Sequence, residues 1–307
     1  MSDVWHAALF GATWCLLIGI VLLVPDAPAQ AIPDKTPYLV GLGIIAAAFA
    51  VLALRAKPDR GPAFDLAIVV GLVLLGAEVG FAKLVLLDPV LFPSPARVAE
   101  VFAVDYPEML DGLRSSLILL VAGYLAAVAA AVPIGLVIGW RRRLYRVAYP
   151  IAKTVSPIPT TVYLPYAIVL LPSFAAASIF VIFIGAFWPI LVGTCYGVFG
   201  VDRRLIASAR TLGLSERVML TRIVFPAAMP SILSGAMIAL ILSFIILTVA
   251  EMIGASTGLG WYLVTNHQFA NYDRVMAGML LIMLVVIAVM QVFDRVQDRL
   301  LAWQQPS

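Results

Sequence analysis

Residues 154–201 read TVSPIPTTVYLPYAIVLLPSFAAASIFVIFIGAFWPILVGTCYGVFGV, 48 consecutive positions without a Lys, Arg, Asp or Glu. A helix needs about 20 apolar residues to cross the hydrocarbon core of a bilayer, so this run is long enough for two crossings. It divides at Leu171-Pro172-Ser173, because proline ends a helix. Outward from it, the same criterion marks 4–25, 36–54, 115–140, 223–250 and 275–293. A further stretch, 64–87, qualifies apart from Asp65, Glu78 and Lys83. The pattern predicts an all-α integral membrane protein of about eight transmembrane helices. Residues 4–25 lack the basic n-region of a signal peptide, which favours a retained helix there.

Composition agrees. The chain is 63% apolar and 12% charged, with a mean hydropathy of +1.05, against roughly 45–50% and 25% in soluble domains. A soluble enzyme, a secreted disulfide scaffold and a nucleic-acid-binding domain are excluded. Cys15 and Cys195 sit in apolar runs and read as small core residues, and two His leave little for a His-rich metal site. Orientation follows from the basic residues. With a cytoplasmic N-terminus, 15 of 20 fall inside: Arg55, Lys57, Arg60, Arg141, Arg142, Arg143, Arg146, Lys153, Arg203, Arg204, Arg210, Arg217, Arg222, Arg295 and Arg299. Lys35, Lys83, Arg97, Arg114 and Arg274 fall outside. Both termini are therefore expected in the cytoplasm, the external segment 88–114 is net acidic, and the cytoplasmic segment 200–222 is net basic. Neither segment is large enough for a catalytic core, and no phosphate-binding glycine loop or nucleophile elbow is present, so the chain reads as a conduit or a scaffold.

The most informative stretch off the membrane is DRRLIASARTLGLSERVMLTRIVFP, residues 202–226. It reads as helix–Gly–helix: Gly213 suits a left-handed or tightly packed backbone, small Ala207, Ser208 and Ala209 let another surface approach, and Pro226 fits the first turn of the next span. From these residues alone, an interfacial connector with snorkelling arginines is equally open.

The stretch resembles the EAA loop of ABC importer permeases: Ala207-Ser208-Ala209, Gly213 four residues on, then Ile223-Val224-Phe225-Pro226. The branch it is most similar to is the nitrate/sulfonate/taurine/bicarbonate type. LFPSPARV (91–98), PIPTTVYLPYAIVLLP (157–172), AEMIGASTGLGWYL (250–263) and residues 299–303 occur in that family's order, so the resemblance runs from about 64 to 303. It departs in two places. Ala207 stands where the family has Glu, and Pro172-Ser173-Phe174-Ala175 stands where it has a Gly-x-Gly turn. The resemblance implies two extra N-terminal helices and a linker in 1–60, then a six-span permease core in 61–307 with a cytoplasmic coupling loop at 200–222. Arg203, Arg204, Ala207, Ser208, Ala209, Arg210, Gly213 and Pro226 would form the ATPase-coupling surface. The implied partners are a cytosolic ABC ATPase dimer, an extracytoplasmic substrate-binding protein, a second permease copy (most simply a homodimer) and membrane lipid. The chain itself would be no enzyme and hold no cofactor, ATP and Mg being bound by the ATPase. Its implied place is the inner or plasma membrane, where it moves a small anionic solute by alternating access.

The candidate translocation residues are Glu78, Pro159, Tyr163, Tyr166 and Glu251. Glu78 lies within a span, where an unpaired carboxylate is costly, so it either bonds a neighbouring helix or faces the pathway. Lys83 is expected to snorkel to the headgroups. The prolines at 150, 157, 159, 165 and 172 make one continuous helix implausible, and Tyr163 and Tyr166 either present hydroxyls to an anion or pack between helices. Glu251, followed by Gly254, Gly258 and Gly260, marks either a gating turn near the external mouth or a plain helix end. The alternative functions are an ion-gradient-driven secondary transporter, for which Glu78 is the one off-centre candidate, and a membrane scaffold subunit.

Overall fold

A bilayer offers the backbone no water to bond to, so a spanning chain must satisfy its own N–H and C=O groups. The regular structure among the described residues is accordingly helical throughout. The computed structural model describes residues 2–32, 34–55 and 61–304. Lys57 and Arg60, counted above as cytoplasmic, lie outside them. The chain forms two compact units, Met1–Met109 with Leu263–Leu281, and Leu110–Tyr262 with Ile282–Ser307.

The first unit begins with α1 (Ser2–Leu23), α2 (Thr36–Arg55) and α3 (Gly61–Ala77), the last prolonged by a π-helical turn, Glu78–Lys83. Trp14, Leu17 and Val21 of α1 pack with Tyr38 and Leu42 of α2, and Trp14 Nε1 donates to the Ala67 carbonyl at 3.3 Å. The segment expected as an external loop at 88–114 is partly helical. Ser94 caps α4 (Pro95–Val104), and α5 (Tyr106–Trp140) starts nine residues ahead of the apolar run, with Pro107 tolerated in its first turn.

In the second unit α5 is followed by α6 (Arg142–Val155), a 3₁₀ turn (Thr160–Tyr163), α7 (Leu164–Leu170) and α8 (Phe174–Phe199). Beyond α8 come α9 (Arg203–Thr211), α10 (Glu216–Met219), a π turn (Leu220–Val224) and α11 (Phe225–Gly254). The chain closes with α12 (Leu259–Gln268) and α13 (Tyr272–Leu300), which both units share. Six helical runs among the described residues are long and apolar enough to cross a membrane, and Thr36–Leu52 and Thr160–Leu170 are shorter apolar helices at the two remaining expected positions.

The expected span between 154 and 172 is a broken one. Pro157 and Pro159 have no N–H to donate, so helix stops at Val155 and resumes as the 3₁₀ turn and α7. At seven residues α7 is about 10 Å long, too short to cross alone. The traverse is nevertheless complete. The end of α5 (Trp140) and the end of α8 (Phe199) line one cavity, so the chain between them must travel to the far end before α8 can run back.

Helix α8 is the axis of this unit. Gly123, Gly135 and Gly139 of α5 each face the α8 residue 59 positions later, Ile182, Thr194 and Val198. Ala127 and Ala131, on the same four-residue stride, are wholly buried. A constant offset means parallel helices keyed along one ridge. On the other side, Gly193 and Gly197 meet Ser231 of α11, and Gly235 meets the Pro189 carbonyl, an antiparallel contact of the small-residue type that membrane helices use. A Cβ at Gly135 would lie 2.6 Å from Thr194 Cβ, whereas one at Gly11 would meet nothing within 4 Å. Gly135→Ala should therefore destabilise the detergent-solubilised protein by about 1–3 kcal/mol, read as a lower thermal midpoint in fluorescence-detected size-exclusion runs. Gly11→Ala should leave that midpoint unchanged or raise it.

Candidate functional site

The expected helix–Gly–helix is present. Asp202 Oδ1 accepts from Arg204 N at 2.8 Å and starts α9, and Ser215 Oγ accepts from Val218 N at 3.4 Å and starts α10. Between them Gly213 has φ +68°, and its N–H returns to the Arg210 carbonyl at 3.0 Å. That left-handed setting is what requires glycine. A Cβ there would meet no atom within 4 Å, so the tight packing entertained for this position is absent.

The hairpin has an inner and an outer side. Ala209 is buried with Met219, Val224, Ala228 and Ile232 against Val198 and Val201, and Pro226 is half-buried in the first turn of α11. Arg203, Arg204, Ala207, Ser208 and Arg210 face outward. Behind them lies a cavity of about 730 Å³, lined by Arg142, Arg203, Ala207, Arg210, Trp140 and Glu216 among others. Glu216 Oε1 is occupied by Trp140 Nε1 at 2.7 Å. Among the described residues, Arg142, Arg203 and Arg210 form no salt bridge. Arg142 and Trp140 were missed by a reading confined to 202–226, because α6 and the end of α5 reach this site only through the fold.

Glu251 is buried and closed in. Its Oε1 accepts from Ser116 Oγ at 2.6 Å and its Oε2 from Gly260 N at 2.8 Å, while Leu259 N donates to Ser116 Oγ at 2.9 Å. The carboxylate thus ties the end of α11 to α5 and to the start of α12. Gly258 has φ +134°, and a Cβ there would lie 2.5 Å from the Glu251 carboxyl.

Tyr163 and Tyr166 are exposed and line a second cavity of about 430 Å³ with Thr160, Phe180, Ile184 and Trp188. Pro159 precedes the 3₁₀ turn that carries Thr160 and Tyr163. Among the described residues, no charged side chain lines this cavity.

Glu78 belongs to the first unit and is buried. Its Oε1 lies 3.3 Å from Lys83 Nζ, which in turn lies 2.5 Å from Asp26 Oδ1, and Lys35 Nζ lies 2.7 Å from Asp26 Oδ2. Lys83 therefore does not snorkel, since two buried carboxylates hold it inside. Burial alone would push the Asp26 carboxyl up, yet hydrogen bonds and charge from Lys35 and Lys83 outweigh it and hold the group below the usual carboxylate range. Among the described residues no group of three His, Cys, Asp or Glu side chains gathers to hold a metal ion.

Residues 131–303, from mid-α5 onward and including the hairpin, match the family of binding-protein-dependent transport system inner membrane components. A putative ABC transporter permease protein of Methanocaldococcus jannaschii is 30% identical over 225 residues, covering 71% of this chain and 84% of that protein. The taurine transport system permease protein of Escherichia coli is 28% identical over 229 residues, covering 72% and 83%. Among solved structures, the inward-facing MetNI methionine ABC transporter shares the fold with a TM-score of 0.54 at 19% identity, over 63% of this chain and 96% of that one. With an all-helical membrane fold, the Gly213 hairpin and these matches together, the chain belongs to the binding-protein-dependent transport system inner membrane components, the permease subunits of ABC transporters.

Proposed function

We propose that this chain is the permease subunit of an ATP-driven importer for a small anionic solute of the sulfonate or nitrate type. In this reading two copies pair around the pathway, a cytosolic ATPase dimer docks below and an extracytoplasmic binding protein delivers solute above. ATP and Mg belong to the ATPase. The observation that carries the reading is the exposed arginine set, Arg142, Arg203 and Arg210, that lines the cavity beside the hairpin, with no internal salt-bridge partner among the described residues. Uncompensated cationic groups on a small-residue surface suit an acidic partner face. Because Ala207 replaces the family's Glu, Arg203, Arg204 and Arg210 carry that docking.

The route from docking to transport follows the packing. Ala209 and Met219 press on α8 and on the first turns of α11, so a displaced hairpin moves both helices. Helix α11 is 30 residues, about 45 Å, long. It ends in the Glu251 tie to α5 and α12, so movement at the hairpin reaches the opposite end of the unit. Tyr163 and Tyr166 line the pathway beside the broken span. The relatives named for taurine, aliphatic sulfonates and nitrate support an anionic cargo. An ion-gradient mechanism draws less support, since Glu78 is paired with Lys83 and both Glu251 oxygens are engaged.

The backbone at Gly213 gives the sharpest test. An L-residue in the left-handed region costs about 1–2 kcal/mol, and a β-branched one more, whereas Asn visits it readily. Gly213→Val should abolish uptake and weaken ATPase co-purification at normal membrane level, while Gly213→Asn and Ala207→Glu should retain transport. Uptake by a normally inserted Gly213→Val protein that still co-purifies its ATPase would sink the coupling assignment. Orientation is tested separately. On a Cys15→Ser background, cysteines at Arg142 and Arg217 should resist an impermeant external thiol reagent in intact cells, and labelling of either would reverse the topology.

A further inference from the structure

The loop between α1 and α2 does more than join two helices. Gln30 is wholly buried, and every polar atom of its side chain is used on one short segment. Nε2 donates to the Pro89 carbonyl at 3.0 Å and to the Phe92 carbonyl at 3.1 Å, and Oε1 accepts from Ser94 N at 2.9 Å. One further tie runs to the same segment, Arg97 Nη2 donating to the Ala29 carbonyl at 3.1 Å, while Ala27 N donates to the Ala82 carbonyl at 2.9 Å and fastens the loop to the π turn that ends α3. The segment so held is LFPSPARV with its approach, rich in proline and irregular until Ser94 starts α4. Such a segment cannot bond its own backbone into a ladder. A glutamine supplies from outside what regular structure would supply from within.

The same unit shows what this arrangement faces. A depression of about 380 Å³ is lined by Ala31 and Ile32 of the loop together with Asp273 and Arg274. Arg97 and Glu100 of α4 line it as well. Arg274 Nε is fixed at 2.9 Å from Asp105 Oδ2, so this part of the lining is anchored to the end of α4. Charged groups of both signs line the hollow. That mixture suits a folded protein surface with paired charges and suits neither acyl chains nor an anionic headgroup layer.

We propose that the loop between α1 and α2 is a positioning element for the binding-protein docking face, with Gln30 setting the 89–94 turn that leads into α4, and α4 lining that face. The two additional helices then serve partner recognition and not permeation. This rests on the importer reading above and on the external placement of α4 within it.

The test uses the full chain in lipid nanodiscs, alone and with its ATPase. Gln30→Ala removes all three bonds, and Gln30→Met removes them while keeping the volume. In hydrogen exchange, amides of 89–98 should exchange at least about tenfold faster in both variants, as expected for lost buried hydrogen bonds, with α8 and α11 unchanged. In ATP hydrolysis titrated with the purified cognate binding protein, the half-stimulating concentration should rise about tenfold, each 1.4 kcal/mol of lost docking being a factor of ten. Basal and maximal rates should stay at the unsubstituted level, a split that a merely destabilised permease would not show. Unchanged exchange at 89–98 would overturn the proposal, as would faster exchange with an unchanged half-stimulating concentration. Absence of any stimulation of the unsubstituted complex would instead overturn the importer reading, and the docking role with it.

Discussion

Helices in a bilayer gain nothing by hiding apolar side chains from one another, because the lipid is equally apolar. What remains is close packing, and in the second unit that packing depends on α8. Its contacts with α5 and α11 run through Gly123, Gly135, Gly139, Gly193, Gly197 and Gly235, where a methyl group would already press on a neighbouring backbone or side chain. The seam explains why two helices so uniformly apolar adopt one register. Leucine-rich faces offer many equivalent alignments, whereas a ridge of missing side chains accepts one.

The carboxylates follow from the same absence of water. Glu78 is ion-paired through Oε1 with Lys83 within a network of two acids and two lysines, and Glu251 is satisfied by a serine hydroxyl and a backbone amide. A buried acid left unmatched is expensive, and a matched one locks the elements that supply its partners. Each group therefore fastens chain segments that sequence alone leaves unrelated.

That distinction marks what was legible in the sequence. Apolar runs located the long helices, the prolines at 150–172 marked that region as discontinuous without placing its break at Val155, and the glycine after Ala207–Ala209 marked a left-handed or tightly packed position, of which the backbone adopts the first. These are local properties, set by neighbours a few residues away. Lys83 was misplaced because its partner Asp26 lies 57 positions earlier, across a helix hairpin. Helix α4 was passed over as loop, since its start depends on Ser94 and its support on Gln30, 64 residues upstream. Arg142 and Trp140 joined the hairpin cavity for a similar reason: α5 and α8 run parallel and end together, which composition does not reveal.

The π turn at Leu220–Val224 sits between the hairpin and α11. A π turn winds one residue more than an α turn into each closed ring of hydrogen bonds, and that surplus can pass to the adjoining turn without the chain of bonds being cut. Handing it along rotates the helix beyond it about its own axis. In the importer reading proposed above, the junction at Leu220–Val224 is then a swivel as well as a rod end: thrust from the hairpin is delivered to α11 as torsion, swinging side chains past α8 while the glycine seam keeps the two axes at their distance.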